Sequence, residues 1–218
     1  MYIETNRLII RDFVPTDVQA LHDIKYDKEI LFQCPELVKR NATMQDLGEY
    51  ITYCISVADK NNFEKELLFP IVLKENNAVI GLFSVSTLEY LYEIQVGWFV
   101  RSEYTGKGYA SETGKAGSDY LLEKLNLDYL AVILAADNRS SFRVAINSGF
   151  KLFEKRTPYD YFYGKDIDHA NFDAVSKYLD EKQKNVPANY FYFRKFKKNS
   201  PTKAKFYGDT KYEGRLAN

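Results

Sequence analysis

Residues Gly97–Gly114 read G-W-F-V-R-S-E-Y-T-G-K-G-Y-A-S-E-T-G. An apolar run ends at Val100, a charged turn follows, Gly106 and Gly108 stand one residue apart, and helical spacing starts at Tyr109. The pattern predicts a strand, a glycine turn and a helix start. Glycines at such a junction let the chain bend and leave its N–H groups unscreened beside the positive end of a helix dipole. Two readings stand at this point: a cradle for phosphate or pyrophosphate, or a tight turn with no ligand.

Outward from that stretch, the strand Glu93–Val100 carries Glu93, Gln95 and Gly97 on one face and Ile94, Val96 and Trp98 on the other. On the C-terminal side, Tyr109, Ala110, Thr113, Ala116, Tyr120 and Leu121 keep helical spacing to about Lys124. Gly114 and Gly117 inside that helix each cost roughly 1 kcal/mol relative to Ala, so close packing is the expected reason for them. Asn126 suits the helix end. Tyr129–Ala135 is almost wholly apolar, which predicts a strand buried on both faces and parallel to its predecessor through the helical crossover. Ser140–Ser148 reads as a short helix after Asp137-Asn138, with Gly149 as its stop and Phe150 entering another strand.

Upstream, Leu8–Ile10 is a short strand, and Pro15-Thr16-Asp17 opens a helix bearing Val18, Leu21 and Ile24. Residues 29–40 are irregular. Thr43 and Asp46 form a capping-box pattern ahead of a helix with Leu47, Tyr50, Ile51, Cys54 and Ala58 on one stripe. Leu67–Lys74 and Ala78–Ser86 flank the turn Asn76-Asn77 as a hairpin, and Pro70 argues for an edge or a bulge. Downstream, the aromatic residues Tyr159, Tyr161, Phe162 and Tyr163 precede a helix pattern over 171–184 and a strand over 189–197, and 199–218 is a polar tail.

A chain of 218 residues supports one domain, here 1–198 with an insertion at about 157–187. Lys plus Arg and Asp plus Glu balance at 30 each, so no overall field draws it to nucleic acid or an anionic membrane. Two cysteines and two histidines make no metal-ligand cluster, and Cys54 on an apolar stripe reads as a buried small side chain. With no signal-peptide pattern and no apolar run of membrane-spanning length, the expectation is a soluble, cytoplasmic protein.

Three segments taken in order, T-N-R-L-I-I-R-D-F, Y-T-G-K-G-Y-A-S-E-T and N-R-S-S-F-R-V-A-I-N-S-G-F, resemble the GNAT superfamily of acetyl-CoA-dependent N-acetyltransferases, and within it the ribosomal-protein N-terminal acetyltransferase branch. The resemblance covers about residues 2–156 and the last strand. It implies an α+β fold, a mostly antiparallel twisted sheet with one parallel, splayed strand pair and flanking helices. It implies that acetyl-CoA lies along that split, with its pyrophosphate on the backbone amides of Thr105, Gly106, Lys107, Gly108, Tyr109 and Ala110. Thr105 stands where the family has Arg or Gln. A bulge in the preceding strand would bring Trp98, Phe99 and Val100 beside the pantetheine arm, which pairs as an added strand would. Asn138 and Ser141 match coenzyme contacts, and Asn138 reads equally as a helix N-cap.

For the chemistry, an amine must lose its proton and an oxyanion must be held, the candidate here being a backbone N–H at the bulge. Gln95 occupies a position that is often glutamate and cannot act as a base. Glu93 is the candidate base or a solvated edge carboxylate. Where many members carry a tyrosine acid this chain has Ala145, leaving Ser141 or water to protonate the thiolate. The implied acceptor is a protein N-terminus or a small amine, the assembly a monomer or homodimer, and the insertion either covers the acceptor groove or mediates a dimer. The rival readings are a coenzyme A-binding sensor with weak turnover and a nucleotide-binding protein; the second lacks the spacing G-x-x-x-x-G-K-[ST].

Overall fold

The computed structural model describes residues 1–27, 30, 43–57, 66–88, 93–156 and 190–198. The strands are β1 (Tyr2–Glu4), β2 (Leu8–Arg11), β3 (Leu67–Leu73), β4 (Val79–Leu88), β5 (Glu93–Val100), β6 (Tyr129–Ala135), β7 (Lys151–Arg156) and β8 (Tyr190–Phe196). The α-helices are α1 (Val18–Lys25), α2 (Met44–Val57), α3 (Tyr109–Lys124) and α4 (Arg139–Asn147). The aromatic cluster at 159–163, the helix pattern at 171–184, the insertion, the tail and the irregular stretch with Cys34 lie outside the described residues.

The strands form one sheet in the order β1-β2-β3-β4-β5-β6-β8-β7. Among the described residues only β5 and β6 run parallel, and every other neighbouring pair is antiparallel. The expected α+β class with a single parallel pair is what forms. Two features go beyond the sequence reading: β1 precedes the first expected strand, and β8 slots between β6 and β7. The second follows from residue type. Tyr192, Phe193 and Arg194 are buried side by side in β8, and the buried backbone N–H and C=O groups of such a strand are satisfied by a neighbour on each edge.

Local chemistry sets the element ends. Thr43 and Asp46 form the reciprocal cap of α2, each side chain accepting the other's backbone N–H. Asp17 accepts the Val14 N–H ahead of α1, and Arg11 grips the same carboxylate with two nitrogens, fastening α1 to β2. Asn77 (φ 59°) turns the β3–β4 hairpin. Pro70 sits just past the last β2–β3 pair, Ile10↔Ile71, so no β2 residue needs its missing N–H, and a register shift at Ile71/Val72 adds the bulge.

α3 lies close on the sheet because glycine faces it. A Cβ on Gly117 would stand 2.5 Å from the Phe83 ring, and one on Gly114 would meet the Trp98 indole at 3.1 Å and crowd Ser148 Oγ. Phe83 is completely buried, which contributes about 1.5–3 kcal/mol by transfer alone. Close packing thus accounts for both helix glycines. α4 packs on α3 and β6, and α1 packs on α2. The result fixes where β5 ends and where α3 and α4 begin.

Candidate functional site

β5 pairs with β4 without interruption from Gly81↔Val100 to Leu88↔Glu93. The Arg101 N–H donates to the Ile80 carbonyl and sets the phase of this ladder. Residues 95, 97 and 99 therefore exchange bonds with β4, while the backbone groups of Val96, Trp98 and Val100 turn to the β6 side. On β6, the Lys197 N–H to Asp128 carbonyl bond sets the matching phase, turning Ala131 and Ile133 toward β5. Yet β5 and β6 register only at Gln95↔Ala131. Beyond that pair the strands part, and Trp98 and Val100 on one side and Ile133 on the other present backbone groups to the gap. The expected split is present. The expected bulge is not: the β4–β5 register never shifts, and the opening comes from β6 leaving the strand.

Trp98 reaches the gap only through its backbone. Its indole is buried under α3 and tilts against Phe150 at 6.3 Å. Phe99 and Val100 are half-buried.

The turn after β5 carries Gly106 (φ 75°) and Gly108 (φ 81°), both in the left-handed region where a side chain adds strain. Thr105 differs from expectation. Its N–H and its Oγ1 both donate to the Ser102 carbonyl, at 3.2 and 2.8 Å, so among the described residues the run of unpaired amides starts at Gly106. The first bond of α3 runs from the Glu112 N–H to the Gly108 carbonyl, so the amides from Gly106 to Ser111 precede the helical ladder. Around Gly106 nothing lies within 4 Å of where a Cβ would stand. Open space, unpaired amides and a helix N-terminus fit a pyrophosphate. Tyr109 and Ala110 are half-buried, and the Lys107 ammonium sits 5.3 Å over the Tyr104 ring.

α4 begins where β6 ends, so its N-terminus opens at the same end of the parallel pair as that of α3. Asn138 caps it: Oδ1 accepts from the Ser141 N–H at 3.0 Å and from Ser140 Oγ at 2.8 Å. The capping role is realised, and Nδ2 is left as the group able to face a ligand. Ser141 is half-buried in the first turn. Ala145 is fully buried in the core.

Glu93 is not a solvated edge carboxylate. It is 8 % exposed, and its Oε1 accepts from both Arg194 and the Tyr129 hydroxyl, the latter at 2.6 Å. Burial, and then the adjoining carboxylate, push the Tyr129 phenol up to about 12, so it stays protonated as the donor. The Arg194 guanidinium lies 4.3 Å over Tyr129 and 4.1 Å over Phe153. This buried ion pair ties β5 to β6 and β8 at their closed end. Glu93 Oε2 is buried and, among the described residues, accepts no hydrogen bond. Gln95, two residues on, donates from Nε2 to Ser86 Oγ at 3.0 Å.

Sequence reasoning gave no role to three residues that hold the turn. Asp27 Oδ2 accepts the Ser102 N–H and hydroxyl, both at 2.9 Å. Arg7 donates from NH1 to the Lys107 carbonyl at 3.0 Å and from Nε to Glu112 at 2.7 Å. Desolvation alone would raise the Glu112 carboxyl, but bonds from Thr5 and Arg7 and the charge of Arg7 hold it below the usual carboxylate range. Only the T-N-R motif signalled Arg7. Among the described residues no group of three or more His, Cys, Asp or Glu could hold a metal, and no helix is long and apolar enough to cross a membrane.

Comparison with known proteins bears on this geometry. The chain is 31% identical over 163 residues to the uncharacterized N-acetyltransferase YnaD of Bacillus subtilis, covering 72% of this chain and 89% of YnaD. A GNAT-family acetyltransferase structure from Bacillus anthracis superposes with a TM-score of 0.62 at 23% identity, over 90% of this chain and 98% of that one. The ribosomal-protein-S5-alanine acetyltransferase from Vibrio fischeri gives 0.67 at 15%, over 92% and 98%. RimL, the ribosomal L7/L12 alpha-N-protein acetyltransferase, solved in complex with coenzyme A, gives 0.66 at 13%, over 90% and 98%. The family profile for the acetyltransferase (GNAT) domain matches residues 7–151. With its parted parallel strands and its glycine turn at a helix N-terminus, the chain belongs to the GNAT acetyltransferases and is an acyltransferase.

Proposed function

We propose that the protein uses acetyl-CoA as its acetyl donor and transfers the acetyl group to an amine in a ternary complex. One observation carries the reading: β5 and β6 part after a single registered pair, and the two helices that follow them open their N-termini at that end, one behind free amides from Gly106 onward. The amides of Gly106, Lys107, Gly108, Tyr109 and Ala110 would hold the pyrophosphate, with Asn138 Nδ2 beside them. Trp98, Phe99 and Val100 lie along the pantetheine arm, whose amides pair with the free backbone of Trp98 and Val100. Bound acetyl-CoA supplies a thioester carbonyl.

The amine nitrogen bonds to that carbonyl carbon and the C–S bond breaks. The first free amide of the gap, Trp98 N–H, is placed to meet the developing oxyanion. The ammonium proton leaves to water or through a water relay to Glu93, whose carboxylate is buried, and Ser141 Oγ or water returns a proton to the thiolate. Gln95, steadied by Ser86, helps shape the acceptor side. The acceptor is a protein N-terminus, as the name of the RimL relative states for that protein, or a small amine.

One observation favours a second reading, a coenzyme A-binding sensor with little turnover: the candidate base Glu93 is already engaged by Arg194 and Tyr129. Thiol release from acetyl-CoA in the presence of N-terminal peptides, polyamines and aminoglycosides separates the two. Release that depends on one class of amine is the expected result. Tight coenzyme binding with no amine-dependent release would establish the sensor instead.

A further inference from the structure

The loop that opens α3 is held from below by a residue 100 positions earlier. Arg7 sits in the turn between β1 and β2, and its NH1 donates to the Lys107 carbonyl. Its Nε and NH2 engage Glu112 in the first turn of α3, and its own N–H and the Thr5 hydroxyl complete the same carboxylate. The guanidinium also covers the Tyr109 ring at 4.5 Å and lies 3.5 Å from where a Gly108 Cβ would stand.

A trans peptide is planar, so its C=O and the following N–H point in opposite directions. Holding the Lys107 carbonyl against Arg7 turns the Gly108 N–H away from it, out to the helix pole. Rotating the Lys107–Gly108 peptide carries the Gly108 φ from positive to negative, and glycine accepts either sign. That flipped state would aim a carbonyl oxygen at an incoming anion. We propose that Arg7, tethered by Glu112, is the positioning residue that keeps the Lys107–Gly108 peptide in its anion-binding orientation. This inference rests on the reading of 106–110 as a pyrophosphate cradle.

The pair has one partly exposed end, with side-chain exposures of 42 % for Arg7 and 18 % for Glu112, so its share in global stability is small. Its effect falls on the population of the competent loop, and apparent affinity declines by the fraction lost. Calorimetric titration of coenzyme A and of pantetheine into the wild-type protein, Arg7→Met, Arg7→Lys and Glu112→Gln makes the test. Arg7→Met should weaken coenzyme A at least tenfold, Arg7→Lys nearly as much, and Glu112→Gln by a smaller factor. Pantetheine, which lacks the pyrophosphate, should bind all four alike, and Tm should move by only a few degrees. The inference is overturned if Arg7→Met binds coenzyme A like the wild type, if Arg7→Lys keeps full affinity as a bare charge would, or if both ligands weaken equally. Failure of the wild-type protein to bind coenzyme A would instead remove the cradle reading on which the inference stands.

Discussion

Gly108→Glu is expected to abolish measurable acetyl-CoA binding while the protein stays folded. Gly108 is exposed and has φ 81°, so a side chain there costs roughly 1–2 kcal/mol of local backbone strain, absorbed in a surface turn. The larger effect is electrostatic. The new carboxylate occupies the mouth of the amide run and repels the pyrophosphate, and the strain favours moving Gly108 out of the conformation that aims its N–H outward. Loss of affinity should exceed about 100-fold, which corresponds to about 2.7 kcal/mol. Titration calorimetry with acetyl-CoA, alongside circular dichroism for the fold, is the measurement. Affinity within threefold of the wild type would mean that the turn is not the cradle.

The second large effect is expected from Glu93→Gln. The substitution keeps the shape and removes the charge, which leaves the Arg194 guanidinium buried without its carboxylate. Breaking a buried pair from one side costs about 3–5 kcal/mol, and for a chain of this length that is a fall in Tm of roughly 6–20 °C. A shift below 2 °C would show that the pair contributes little. The same variant tests the proposed proton acceptor. If Glu93 takes the ammonium proton, the loss of turnover is greatest near neutral pH and shrinks as pH rises and free amine becomes plentiful. A uniform loss across pH would restrict Glu93 to holding β5, β6 and β8 together.

The parts of the fold that were legible are those encoded by local pattern. β5, α3 and β6 end where their apolar spacing ends, and Asn126, with φ 50°, terminates α3 as its residue type suggests. The turn at Gly106 and Gly108 was legible because glycine takes a positive φ without strain, whereas the two glycines alone did not separate a phosphate cradle from a tight turn. What local pattern does not carry is pairing between distant residues. Glu93 meets Arg194 across 101 positions, and Arg7 meets Glu112 across 105. The signal for the first was an arginine inside Y-F-Y-F-R-K-F, since a charge in an aromatic strand requires a partner. Which carboxylate it would find depends on β8 lying beside β6, an order set by tertiary packing. Thr105 misled for a similar reason: a turn residue can satisfy its own donors on a carbonyl three residues back, and the sequence does not distinguish that from a ligand contact. The bulge implied by the family resemblance is replaced by an uninterrupted β4–β5 ladder, with β6 alone diverging.

If the gap between β5 and β6 is a coenzyme A groove, ligands that carry pantetheine stabilise the folded protein. Thermal denaturation in the presence of acetyl-CoA, coenzyme A or ATP at equal concentration tests it most directly, because a ligand that binds only the folded state raises Tm in proportion to RT ln(1 + [L]/Kd). A clear rise is expected with acetyl-CoA and coenzyme A and little or none with ATP, which carries phosphates and adenine but no pantetheine to pair with Trp98 and Val100. Equal stabilisation by all three, or none by acetyl-CoA and coenzyme A, would overturn that assignment.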